Sequence, residues 1–116
     1  MSEAYLRAWR ESIDHPAAFW GKAAEAIDWI TAPASTYDEA QGWFAGGTLN
    51  TCYNCVDRHV AAGRGEAIAL SYDSPVTDVV QQFSYARLQD EVGRVAAMLV
   101  SLGVGKGDRV ILYMPM

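Results

Sequence analysis

Three stretches of the 116-residue sequence bring together residue types that could do chemistry. Cys52-Tyr53-Asn54-Cys55 is a C-x-x-C pair, and at a helix N-terminus the dipole can lower a thiol pKa enough to make a redox nucleophile. A thioredoxin-like pair follows a strand, however, whereas this one follows the Gly46-Gly47 turn and Leu49-Asn50, so packing on a helix is the favoured reading. Gly103-Val104-Gly105-Lys106-Gly107-Asp108 invites a phosphate-loop reading, with backbone N–H groups and the lysine around an anion. Phosphate loops run from strand into helix. Here a helix runs into the glycines with its negative end, and Gly103 reads as a helix stop. Asp57-Arg58-His59 juxtaposes an acid, a base and an imidazole. Consecutive helical residues point about 100° apart, so the three cannot converge on one substrate atom, and a fold-stabilising hydrogen-bond network is expected.

The elements that must position these residues follow from pattern. Residues 3–13 place Tyr5, Trp9 and Ser12/Ile13 at helical spacing, an amphipathic helix with an aromatic stripe. Asp14 as N-cap and Pro16 in the first turn open a second helix, with Phe19, Trp20, Ala23, Ala24 and Ile27 on one face and His15 exposed. Residues 31–38 hold no period and read as irregular chain, docked by Trp43 and Phe44. Asn50 caps a third helix with Cys52, Cys55, Val56 and Val60 on its apolar side and Gly63 as its stop.

Ala67 to Tyr72 is a β-prone run ended by an Asp73-Ser74-Pro75 turn. Ser84 caps a long helix, Tyr85 to Leu102, with Leu88, Val92, Val95, Ala96 and Leu99 along one side. Arg109 to Met114 is nearly continuous in apolar residues, the pattern of a strand buried on both faces of a parallel sheet. A buried strand with nothing after it implies a sheet completed by further chain. The expected fold is α/β: a helical docking segment over residues 1–63, then, over residues 64–116, the first β-α-β of a larger, truncated sheet. Without the rest of that sheet, the apolar strand is expected to make the chain self-associate or leave it only marginally stable.

Half of the residues, 51%, are hydrophobic and 20% are charged, which suits a folded globular chain. The formal charge of -5, with no run of basic residues, opposes docking on nucleic acid or anionic lipid. No run approaches the roughly 20 apolar residues of a membrane span, and no signal-peptide pattern opens the sequence, so a cytoplasmic location is expected. Two cysteines are too few for a secreted disulfide scaffold and lack a partner pair for a four-ligand zinc site. The four tryptophans, Trp9, Trp20, Trp29 and Trp43, read as anchors of short helices to a larger body rather than as a ligand-stacking surface.

Taken in order, Ser12-Ile13-Asp14-His15-Pro16 to Phe19-Trp20, Ile27-Asp28-Trp29, Trp43 to Gly47, Leu49 to Asn54 and Asp57-Arg58-His59 resemble the N-terminal region of acetyl- and propionyl-CoA synthetases. Gly103 to Val110 and Tyr113 to Met116 resemble the start of the large nucleotide-binding domain of the same adenylate-forming enzymes. Tyr72 to Thr77 looks more like the propionyl than the acetyl type. The sequence departs from the pattern at Cys55, where alanine is common, and at Arg87, where the usual acid would complete a capping box with Ser84.

The resemblance implies a parent propionate–CoA ligase that couples a short carboxylic acid to ATP with Mg²⁺, releases pyrophosphate, and passes the acyl group from the adenylate to CoA. The phosphate loop, acid pocket and mobile C-terminal domain of that family lie beyond Met116, so no catalytic, cofactor-binding or metal-binding residue is assigned here. The chain alone is expected to be inactive and to bind none of ATP, CoA or Mg²⁺, with the rest of the parent chain as its partner. Two alternatives stand beside this: a non-catalytic docking or regulatory module derived from the family, and a small thiol redox protein using Cys52 and Cys55.

Overall fold

The structure, a computed structural model, describes residues 2–114. Its contacts cluster in two units, Met1–Cys55 and Val56–Met116.

The first unit opens with α1 (Glu3–Asp14), whose N-cap Ser2 accepts a hydrogen bond from the Tyr5 N–H at 3.3 Å. The sequence suggested Asp14 as the cap of the next helix, but Asp14 is the last residue of α1, and the break falls at His15 (φ -135°, ψ 57°). Proline explains the shift. The Pro16 ring disfavours the α conformation for the residue just before it, so His15 must leave the helix while Asp14 can stay in it. α2 (Pro16–Ala24) then starts with proline at its first position, where the missing N–H costs nothing.

Four very short strands follow: β1 (Trp29–Thr31), β2 (Tyr37–Asp38), β3 (Gly42–Trp43) and β4 (Thr48–Leu49). β1 pairs antiparallel with β4, and β2 with β3. The β2–β3 turn is shaped by Asp38, whose Oδ1 accepts from the N–H groups of Ala40 and Gln41, both at 2.9 Å. Such a side chain imitates a backbone turn. Residues 31–38, expected to be irregular, are therefore strand at both ends, in elements of two or three residues that leave no sequence period to detect.

A helical run capped by Asn50 crosses the division between the units and contains two π-helical segments, Tyr53–Asp57 and Val60–Arg64. The Tyr53 N–H donates to Asn50 Oδ1 at 2.9 Å, and Gly63 takes a positive φ of 76° where the run was expected to stop.

In the second unit, β5 (Ile68–Ser74) pairs antiparallel with β6 (Val79–Ser84), placing Leu70 opposite Phe83 and Tyr72 opposite Gln81. This corrects the expected β-α-β: the order is β-β-α. Gln81 and Gln82 are polar, but a two-stranded hairpin leaves room for solvated side chains that a buried parallel strand does not.

The strand expected over residues 109–114 is also corrected. It has no regular structure, and Ile111, Leu112 and Tyr113 are 89%, 82% and 100% exposed. A strand exists only through its hydrogen-bonded partner, and among the described residues no strand pairs with it. Apolar sequence alone cannot supply that pairing. Pro115 and Met116, which belong to the nucleotide-domain resemblance, lie outside the described residues.

α3 (Tyr85–Ser101) has both ends sealed. Ser84 Oγ accepts from the Arg87 N–H at 3.3 Å, as its sequence position suggested. At the other end Gly103 has φ 86°, its N–H donates to Val100 O at 3.0 Å, and the Val104 N–H donates to Leu99 O at 3.1 Å. That is a Schellman termination, which needs the left-handed conformation glycine adopts at no steric cost. Arg87 has taken another role than the reciprocal acid of a capping box: its guanidinium lies 4.2 Å from the Phe83 ring centroid and donates to Gln82 O.

Burial is sparse: among the described residues only Val56 and Asn54 are classed as buried. Along α3, Val92, Val95, Ala96 and Leu99 line one shallow apolar face with Val95 still 52% exposed. No described helix is long and apolar enough to cross a membrane.

The sealed ends of α3 give a direct expectation. Ser84→Ala should cost about 1 kcal/mol by removing the cap, and Gly103→Ala about 1 kcal/mol or more by forcing a side chain into positive φ. Urea unfolding followed by far-UV circular dichroism should show both losses, and a control Gly93→Ala in mid-helix, where an added methyl meets nothing within 4 Å, should be neutral or stabilising.

Candidate functional site

The most heavily constrained side chain in the first unit is Asn54. Asparagine is a poor residue for a helix interior because its amide competes for nearby backbone groups, and here it does so productively. Its Oδ1 accepts from the Asp28 N–H at 2.9 Å, while its Nδ2 donates to Asp28 O at 3.0 Å and to Asn50 O at 3.0 Å. The carboxamide thus presents to Asp28 the same acceptor and donor that a neighbouring strand would present. It fixes the chain at the entrance to β1. Asn54 is only 7% exposed, so each of these bonds replaces solvent that is no longer available.

From that entrance Trp29 is aimed back at α2. Its Nε1 donates to Ala24 O at 3.1 Å, a second bond to a carbonyl that also accepts from the Ile27 N–H, and its ring centroid lies 5.7 Å from that of Phe44. Gly47 leaves this packing its room: a Cβ would lie a tight 3.0 Å from Trp29 Cζ3 and 3.0 Å from Phe44 O. The Trp43 ring lies against Tyr37 across the β2–β3 pair, with centroids 5.0 Å apart and planes tilted by 55°. Trp20, Ile27, Trp29, Phe44 and Leu49 border an open, almost wholly apolar groove of about 360 Å³. Trp9 and Trp20, expected to anchor their helices, remain 52% and 46% exposed, as do Tyr5 and Ile13 of the α1 stripe at 55% and 57%.

The expected apolar side of the Asn50-capped run is corrected in detail. Cys52 and Cys55 are exposed and not joined in a disulfide, and the buried positions are Asn54 and Val56. A π-helical turn carries more residues than an α turn, so the 3.6-residue period used to choose the buried face does not hold across it.

In the second unit, Asp57 and His59 point to different partners, as their helical offset suggested. Asp57 Oδ1 accepts from Gln89 Nε2 of α3 at 2.6 Å, whereas the His59 ring lies 4.5 Å from the Tyr85 ring and its Nδ1 meets Arg64 Nη2. These are ties between helical segments, not a converging acid–base set.

The glycine stretch after α3 does not suit a phosphate. The Gly105 N–H, which would face an anion, donates instead to Asp108 Oδ2 at 2.8 Å, and the Asp108 N–H donates to Gly105 O at 3.1 Å. A carboxylate of the chain itself holds that position. Among the described residues no three His, Cys, Asp or Glu side chains gather as a metal site.

Comparison with known proteins gives these features a setting. A family profile described as AMP-binding enzyme matches residues 57–116, just over half of the chain, and one described as acetyl-coenzyme A synthetase N-terminus matches residues 5–55. The chain belongs to the AMP-binding enzyme family. Its first part is of the acetyl-coenzyme A synthetase N-terminal type, and the change of profile falls where the contacts divide, at Cys55 and Val56.

An uncharacterized protein of Pseudomonas aeruginosa is 53% identical over 97% of this chain and 18% of its own length. The propionate–CoA ligase of Salmonella typhimurium is 47% identical over 99% of the chain and 18% of its own length. The mitochondrial acyl-CoA synthetase short-chain family member 3 of Mus musculus is 45% identical over 97% of the chain and 17% of its own length. The chain spans less than a fifth of the length of these relatives.

In the sequence Asn54 is masked by the C-x-x-C pair that encloses it. The available signal was an asparagine four residues after a capping asparagine, inside a helix that should avoid it. Replacing Asn54 by Ala should destabilise the first unit by about 1–3 kcal/mol, since it leaves partners in a dry setting. Asn54→Asp should cost a comparable amount, keeping the acceptor for the Asp28 N–H but placing a carboxylate against two carbonyls. Equilibrium denaturation read by tryptophan fluorescence checks both, and Cys52→Ser with Cys55→Ser should leave the midpoint nearly unchanged.

Proposed function

We propose that this chain is the N-terminal portion of an ATP-dependent acyl-CoA ligase that acts on propionate or another short carboxylic acid. The observation that carries the reading is the succession of two profiles across residues 5–55 and 57–116, together with relatives more than five times longer that align over nearly the whole chain. In the proposed reaction the acid carboxylate attacks ATP, pyrophosphate leaves, and the CoA thiol displaces AMP from the acyl-adenylate. ATP supplies the activation, because carboxylate oxygen is a poor leaving group until it is esterified to phosphate. The parent enzyme uses ATP, CoA and Mg²⁺. With the glycine stretch closed by Asp108, their seats are proposed to lie in the rest of a longer polypeptide.

Propionate is favoured over acetate on two grounds. The Tyr72 to Thr77 segment, at the end of β5 and its turn, resembles the propionyl type, and the relative named as a propionate–CoA ligase is 47% identical to the chain against 42% for one named as an acetyl-coenzyme A synthetase. The exposed faces fit a piece that leans on a larger body: the groove beside Trp29, the Val92–Val95–Leu99 face of α3, and residues 110–114. Each fully covered Val or Leu is worth about 1.5–3 kcal/mol, so leaving them in water favours any surface that can cover them.

A polypeptide containing this sequence and extended to the length of its relatives should form acyl-hydroxamate from ATP, Mg²⁺ and hydroxylamine, with kcat/KM for propionate above that for acetate. The 116-residue chain should form none above background. Turnover by the short chain, or a full-length protein inert toward every short acid, would refute the proposal. The short chain should also sediment as concentration-dependent oligomers, and Ile111→Lys with Leu112→Glu should shift it toward monomer; a sharp monomer at all concentrations contradicts that part.

A further inference from the structure

The joint between the end of the π-helical run and the first turn of α3 is a cluster that the ligase reading leaves unused. Two backbone bonds close it: the Tyr85 N–H donates to Ala67 O at 3.1 Å, and the Ala86 N–H to Gly65 O at 2.9 Å. Side chains add a second layer. The half-buried His59 ring lies 4.5 Å from the Tyr85 ring at a tilt of 42°, and its Nδ1 contacts Arg64 Nη2. A guanidinium only donates and stays protonated, so Nδ1 must be the acceptor and the imidazole is neutral, with its proton on Nε2.

We propose that His59 is an acid-sensitive latch on this joint: its neutral ring holds Arg64 and Tyr85 together, and its protonation frees the first turn of α3. Protonated Nδ1 becomes a donor facing another donor, so the contact turns from attraction to repulsion. The groups around the imidazole determine the balance. From the run they are Arg58 and Arg64, with the carboxylate of Asp57 engaged by Gln89; from α3 the facing side chain is Tyr85. The next basic side chain of α3, Arg87, is laid over Phe83.

Partial burial first, then the charges of Arg64 and Arg58, hold the His59 pKa below its ordinary 6.5. One effect opposes them: an imidazolium beside a tyrosine ring is attracted by the electron-rich ring face. The direction of the shift says that the guanidiniums and burial prevail. A histidine whose folded pKa is depressed contributes stability that is present above 6.5 and lost as pH falls through the folded value.

The test reads carbethoxylation of His59 by diethyl pyrocarbonate, which reports the neutral ring, across pH and peptide by peptide, a measurement indifferent to chain length or assembly. Its midpoint should lie below 6.5, rise in Arg64→Gln, and stay depressed in Arg64→Lys, which keeps the charge. Deuterium uptake by the peptide spanning residues 85–90, corrected for intrinsic exchange, should increase severalfold as pH falls through that midpoint. In His59→Gln, whose amide oxygen can still accept from Arg64 but does not titrate, the increase should vanish. A midpoint at or above 6.5, or the same pH-dependent uptake in His59→Gln, overturns the latch.

Discussion

The first unit depends on one side-chain amide. β1 and β4 are too short to define their own register, and α2 ends only a few residues before β1 begins. Asn54 resolves both problems by pairing with the N–H and the C=O of Asp28. With Asp28 fixed, Trp29 can reach back to Ala24 and lie against Phe44, and Gly47 leaves it the space to do so. A hydrogen-bonded amide is directional where apolar contact is not, and that precision matters in elements of two or three residues.

That reliance on polar ties reflects how little is buried. A chain that is 51% hydrophobic keeps Trp9, Trp20, Val95 and most of residues 110–114 in contact with water, with Val56 the one buried hydrophobic among the described residues. Each unit is held by local devices: caps at Ser2, Asn50 and Ser84, aromatic pairs, and the Schellman turn at Gly103. Such devices are worth about 1 kcal/mol apiece, so they define conformation better than they secure it.

The residues that first suggest chemistry are mostly spent on structure. Asp57 and His59 fasten the run to α3, and Asp108 closes the glycine stretch on itself. Cys52 and Cys55 flank the residue that matters there. Reactive types at suggestive spacings carry no direction until the backbone gives them one.

The sequence by itself determined what depends on neighbours in the chain: α1 and α3, the caps at Asn50 and Ser84, the stop at Gly103, and the family resemblance written in ordered motifs. These follow from helical period and from conformations only particular residues adopt, so a single strand of text contains them. Tertiary structure decided what depends on distant partners. The Gln-containing β6 became a strand because β5 lies beside it, whereas the more apolar residues 109–114 did not, because pairing and not hydrophobicity makes a strand. Asn54 became the clasp because Asp28, 26 residues earlier, comes within 3 Å of it. No local pattern encodes a meeting of that kind, since it is fixed only when the intervening chain has folded.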